Sequence, residues 1–157
     1  MRVSATPVPV LTARQVLDGE STVVDLRSPG EFAVDHVPGA YNVPLFGDVE
    51  RALVGMLYKQ QSPEAAFEKG RELVAERITE LVQDLARLTP GESEARDVDL
   101  PALVHAMCAS GIEALSGALE TVPAEIAPGE SPLILHCWRG GLRSRSVVAL
   151  LRALGLD

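Results

Sequence analysis

Leu133-Ile134-Leu135-His136-Cys137-Trp138-Arg139-Gly140-Gly141-Leu142-Arg143-Ser144 is the stretch that decides the fold of this chain. Its apolar start reads as a short buried strand. A cysteine follows at the strand end, then two glycines, then an apolar helix bearing arginines. The turn brings backbone N–H groups toward Cys137, and the positive end of the next helix dipole points at the same place. Arg139, Arg143 and Arg145 add formal charge. All of these stabilise an anion, and the thiolate is the nucleophilic form of cysteine. Glycine lets the backbone approach an anion closely. The segment reads as an anion-cradling loop with a sulfur nucleophile at its base.

The rest of the chain reads as helices alternating with strands. Val8-Pro9-Val10-Leu11 and Thr22-Val23-Val24-Asp25-Leu26 are predicted strands, and Thr12 is a predicted N-cap. Val37-Pro38-Gly39-Ala40 is a turn before a third short strand. Helical spacing runs from Val49 to about Leu88, through Leu73, Val74, Ile78, Leu81, Val82 and Leu85. Asp99 is a predicted cap for a helix from Pro101 to Leu119, and Pro123 to Pro132 reads as a loop. This order implies an α/β fold: an open parallel sheet with helices on both faces.

The chain has 157 residues and 46% hydrophobic content, enough for one domain with a real core. It has no apolar run of membrane-spanning length and no signal pattern, so a cytoplasmic protein away from membranes is expected. Two cysteines without CxxC spacing argue against a disulfide framework or a metal site. Cys108 sits in an apolar setting and reads as a packed thiol, with a resolving partner for Cys137 as the alternative. The net charge of −8 argues against a broad nucleic-acid surface but allows a local basic patch. His136 is read as structural, His36 as a hydrogen-bonded turn histidine, and Asp25 as an acceptor at its strand end.

These motifs resemble the rhodanese superfamily. Asp25-Leu26-Arg27 with Glu31-Phe32, then His36-Val37-Pro38-Gly39-Ala40 and Asn42-Val43-Pro44, match its signature. Cys137 falls where that family forms its persulfide, in a loop one residue longer than usual. Asp48 to Gly55 with Tyr58-Lys59-Gln60-Gln61 is similar to the rhodanese domain of the bacterial tRNA 2-selenouridine synthase family. So is the loop of Cys137, Arg139, Gly140, Gly141, Arg143 and Ser144. The resemblance covers residues 1–157 apart from about 96–132, which reads as an insertion. The sequence contains no G-x-x-x-x-G-K-S/T, so the family's C-terminal P-loop domain, and with it the last edge strand of a rhodanese sheet, is expected to be absent from these residues.

The resemblance implies a transferase that replaces sulfur by selenium in the wobble 2-thiouridine of tRNA. Selenophosphate would be the donor, with geranyl diphosphate as co-substrate and no bound cofactor or metal. Cys137 would be catalytic. Trp138, Arg139, Gly140, Gly141, Leu142 and Arg143 would form the anion-binding loop, with Asp25 and Arg27 in support. Arg51, Tyr58, Lys59, Gln60 and Gln61 are candidate tRNA contacts. The fragment alone is expected to be inactive without the P-loop domain. Two alternatives stand beside this reading. His136-Cys137 to Arg143-Ser144 also fits the His-Cys-x5-Arg-Ser loop of Cdc25-like or dual-specificity phosphatases. A truncated, non-catalytic rhodanese-like binding module is the other.

Overall fold

The computed structural model describes residues 7–89, 98–138 and 141–156. Arg139 and Gly140, both assigned to the anion-binding loop, lie outside the described residues. The elements run β1 (Val8–Val10), α1 (Ala13–Asp18), β2 (Thr22–Asp25), α2 (Pro29–Val34), β3 (Tyr41–Asn42), α3 (Asp48–Gln60), α4 (Pro63–Leu88), α5 (Leu100–Cys108), α6 (Gly111–Ala118), β4 (Thr121–Pro123), β5 (Leu133–His136) and α7 (Leu142–Ala153). The fold is α/β, with parallel strands and helices on both sides.

The strands divide into two short sheets. One has the order β3-β2-β5 and the other pairs β1 with β4, all parallel. β4 is a strand that sequence reading missed. Three residues of Thr121-Val122-Pro123 carry too little periodicity, and the partner Val8–Val10 is more than a hundred residues away. The described residues 98–132 contribute to both hydrophobic clusters. They supply β4, and they add Leu103 and Val104 to the main core and Leu115 and Leu119 to a second cluster around Val8.

Local sequence explains where the helices begin. Thr12 caps α1 and shares a capping box with Gln15, and Ser28 does the same for α2 with Glu31. The helical stretch expected from Val49 to Leu88 is two helices. Ser62 accepts from the Ala65 N–H and Pro63 occupies the first turn, so a new helix starts there. The predicted Pro101–Leu119 helix is also two. Gly111 has φ +85°, a left-handed residue that no α-helix interior accommodates. Asp99 caps α5, as its position suggested.

The main core lies between β2, α4 and α7. Val24 and Leu26 meet Ile78, Leu81 and Leu85 on one side of α4, together with Val147 and Leu150 of α7. The α4 residues recur at three- and four-residue spacing, and burial of each contributes roughly 1.5–3 kcal/mol. α7 is closed by a turn in which the Leu156 N–H donates to the Leu151 carbonyl and the Gly155 N–H to that of Arg152. Among the described residues no helix is long and apolar enough to cross a membrane.

Candidate active site

The carboxyl ends of β2 and β5 lie side by side, Asp25 opposite His136, and the Leu26 N–H donates to the His136 carbonyl at 2.9 Å. The ends of parallel strands are where α/β folds present ligand sites. The next residue after β5 is Cys137, and α7 starts five residues later. The sulfur is thus delivered to a helix N-terminus by a strand on one side and a tight turn on the other.

Cys137 is 1% exposed. Its sulfur lies 3.1 Å from the Ser144 hydroxyl, 3.7 Å from the Gly141 carbonyl oxygen and 3.9 Å from that of Trp138. Gly141 is the N-cap of α7 and has no side chain with which to cap it. The N–H groups of Leu142, Arg143 and Ser144 therefore have no carbonyl to bond within the helix. The Gly141 N–H is different: it donates to the Trp138 carbonyl at 3.3 Å, so it is spent within the turn. A Cβ at Gly141 would stand 3.2 Å from that same carbonyl oxygen and 3.9 Å from the sulfur. The turn is close enough that only glycine fits without a shift.

Arg143 reaches back to α2, where its guanidinium is 3.5 Å from Glu31. A cation at a helix N-terminus opposes the dipole, and Glu31 supplies the compensating charge. The other Glu31 oxygen is 3.6 Å from Arg51 of α3, and the Ser28 N–H also donates to this carboxylate at 3.1 Å. Burial pushes the Glu31 carboxyl up. The Ser28 N–H, Arg143 and Arg51 outweigh that, and its pKa is lowered overall. Arg145 does not join the site, because its guanidinium donates to the Leu119 carbonyl at 2.8 Å.

Asp25 and Arg27 form the buried brace under the turn. The Asp25 carboxylate accepts from the Arg27 backbone N–H at 2.9 Å, from Nε at 3.0 Å and from Nη2 at 2.7 Å. Nη2 also donates to the Asp35 carbonyl that ends α2. Burial raises the Asp25 pKa, but the Arg27 hydrogen bonds and charge overcome it and hold the carboxyl below its ordinary value. Asn42 ties β3 to the same corner through the carbonyls of Asp25 and Arg27. His36 bonds the Phe32 carbonyl at 2.7 Å and stacks on the Phe32 ring, a local role as expected of a turn histidine.

A cleft of about 1230 Å³ opens beside this corner. Arg51, Tyr58, Lys59 and Gln60 line it, with Trp138 and Arg143. Gln61 is exposed at the end of α3 and is not among the lining residues. The remaining surface of the cleft is mostly apolar, from Phe67 and Val74 of α4, Met107 and Cys108 of α5, and Leu142 and Val147 of α7. Sequence reading missed this cleft because the packing of helices α3 to α7 creates it. It also passed over Ser144, whose place at the end of the loop motif was the available signal. Among the described residues no group of three or more His, Cys, Asp or Glu side chains is placed to hold a metal.

No family model matches the chain. Over 151 residues it is 30% identical to the tRNA 2-selenouridine synthase of Pseudomonas fluorescens, a match that covers 96% of this chain and 31% of that enzyme. The chain is similar to part of the tRNA 2-selenouridine synthases. A second such synthase, from Nitrosomonas europaea, is 48% identical over 65 residues, 41% of this chain and 16% of the relative. The chain thus spans a third or less of the synthases it matches. Among solved structures it is similar to the N-terminal domain of a protein described as ATP/GTP binding, from Clostridium difficile 630. The TM-score is 0.60 at 25% identity, over 96% of this chain and 85% of that one.

Proposed function

We propose that this chain is the rhodanese-like, chalcogen-transferring part of a tRNA 2-selenouridine synthase, with Cys137 as nucleophile or chalcogen carrier. One observation carries this reading. Cys137 stands at the carboxyl end of a parallel strand and at the uncapped N-terminus of α7, with a buried hydroxyl at 3.1 Å. A helix N-terminus lowers the cost of a thiolate and of any anion passed to or from it. Similarity to the synthases over nearly the whole chain supplies the substrate class.

In this reading the enzyme replaces sulfur by selenium in the wobble 2-thiouridine of tRNA, with selenophosphate as donor and geranyl diphosphate as co-substrate. A geranylated sulfur is a better leaving group. The cleft suits such partners. Its apolar surface can hold a prenyl chain, Tyr58 and Trp138 offer faces on which a base can stack, and Arg51 and Lys59 can meet phosphate. These cations form a local patch on a chain of net charge −8, so tRNA is gripped here and by the remainder of the enzyme rather than by a broad basic face. Cys137 is buried, so a reacting partner needs a small local displacement to reach the sulfur. In the full-length enzyme the P-loop domain of the family completes the tRNA or prenyl-donor site.

The test uses the full-length enzyme. With selenophosphate and geranyl diphosphate it converts 2-thiouridine-containing tRNA, and Cys137→Ala abolishes conversion. Robust turnover of aryl phosphates with no nucleoside product would replace this reading by the phosphatase one.

A further inference from the structure

The Cys137 sulfur belongs to a small buried ring of polar atoms. The Ser144 oxygen is 3.1 Å from the sulfur and 3.3 Å from the Gly141 carbonyl oxygen, which is itself 3.7 Å from the sulfur. The ring's protons can be counted. With a thiol there are two, one on sulfur and one on the Ser144 oxygen, and the hydroxyl is satisfied by the Gly141 carbonyl. With an anionic sulfur there is one, on Ser144. The carbonyl oxygens of Gly141 and Trp138 only accept, so they turn lone pairs toward the charge. Among the described side chains the Ser144 hydroxyl is the donor to an anionic sulfur. Ser144 is 5% exposed and Cys137 1%, so bulk water does not stand ready to replace it.

We propose that Ser144 is the positioning residue for the Cys137 sulfur: its hydroxyl turns its proton from the Gly141 carbonyl to the sulfur whenever the sulfur carries charge. The inference rests on the reading of Cys137 as nucleophile or carrier. It serves both halves of a transfer. Before attack the hydroxyl holds the thiolate and aims its remaining lone pairs outward. In attack the thiolate forms a bond to C2 of the geranylated nucleoside, whose C–S bond breaks to release the geranyl thiolate. When selenide supplied by selenophosphate then displaces Cys137, the new C–S bond breaks and its electron pair returns to the Cys137 sulfur. The hydroxyl then receives that charge, and its proton stays on the Ser144 oxygen throughout.

Alkylation of the 157-residue chain by iodoacetamide at neutral pH, with each cysteine followed by peptide mass spectrometry, tests this. A hydrogen bond to a charged partner shifts an ionisation by about ten- to hundredfold. Roughly half of that, on a logarithmic scale, returns as greater nucleophilicity of a more basic thiolate. Ser144→Ala is therefore expected to slow Cys137 by about three- to tenfold. Cys108, in the same molecule, keeps its rate and reports that the fold is intact. Ser144→Thr, which keeps the hydroxyl, restores Cys137. An alanine variant as fast as the unaltered chain, or a threonine variant as slow as alanine, overturns the proposal. Should the alanine variant not fold, the S–H stretch of Cys137 in the unaltered chain decides, recorded at a pH acid enough to protonate the sulfur and assigned by its loss in Cys137→Ala. A band lowered by hydrogen bonding supports the ring, and an unshifted band overturns it. Failure of the parent reading shows separately, as full-length Cys137→Ala that still converts tRNA.

Discussion

The two cysteines occupy opposite poles of helices. Cys137 precedes the N-terminus of α7, beside a hydroxyl and at the ends of parallel strands. Cys108 is the last residue of α5, at the negative end of that helix's dipole, half-buried along the apolar wall of the cleft. Burial pushes the Cys108 thiol above its ordinary pKa of 9.0, and nearby Glu68 adds to this while Arg71 opposes it. The same side chain thus stands at a helix N-terminus beside a hydroxyl in one region and along an apolar wall in the other. On the proposed function, the contrast teaches that position along the backbone dipoles, rather than exposure, selects the reactive sulfur.

The largest expected effect is at the brace under Cys137. Asp25→Ala leaves Arg27 buried without its carboxylate, which costs about 3–5 kcal/mol. Urea unfolding of the variant measures it, and a loss below about 1 kcal/mol would show that the strand-end corner is not held by this pair. The pH dependence has a definite sign. The folded pKa of Asp25 lies below its ordinary 3.8, so its contribution is complete above that pH and is lost as pH falls through the lower folded value. The gap between the variant and the unaltered chain therefore narrows in acid and stays constant toward neutrality.

A smaller effect is expected one shell out. Glu31 neutralises both Arg143 and Arg51, so in the unliganded chain it competes with any oxyanion at the α7 terminus. Glu31→Gln releases both cations. It should cost under about 1 kcal/mol in stability, because such ion pairs contribute little, while sulfate binding tightens. Sulfate titration followed by thermal shift measures both. Unchanged sulfate affinity would mean that the α7 terminus takes no anion and that the contrast between the two cysteines has another origin.

Much of this region was legible in the sequence because its signals are local. The apolar run Leu133–Leu135, the double glycine and the apolar helix gave β5, the turn and α7. The pairing of Arg143 with Glu31 of α2 was shown only by the structure. Asp25 accepts hydrogen bonds at its strand end, as expected. What escaped depends on distant parts of the chain. β4 needs Val8–Val10 to be a strand at all, Arg145 is drawn off by the Leu119 carbonyl, and the cleft exists only once α3 to α7 have packed. The breaks at Ser62-Pro63 and Gly111 are a different case. Their capping and left-handed residues were in view, but the apolar spacing ran past them.

The central claim is that dipole and hydroxyl, rather than access, make Cys137 the reactive sulfur. Accessibility alone favours the half-buried Cys108 over the 1% exposed Cys137. Limiting iodoacetamide at neutral pH, with the two cysteine peptides quantified in one sample, sets these against each other. The account predicts that Cys137 is modified first, by about tenfold or more, with Cys108 following only as the pH rises past its ordinary value. Modification of Cys108 first, or of both together, would contradict it.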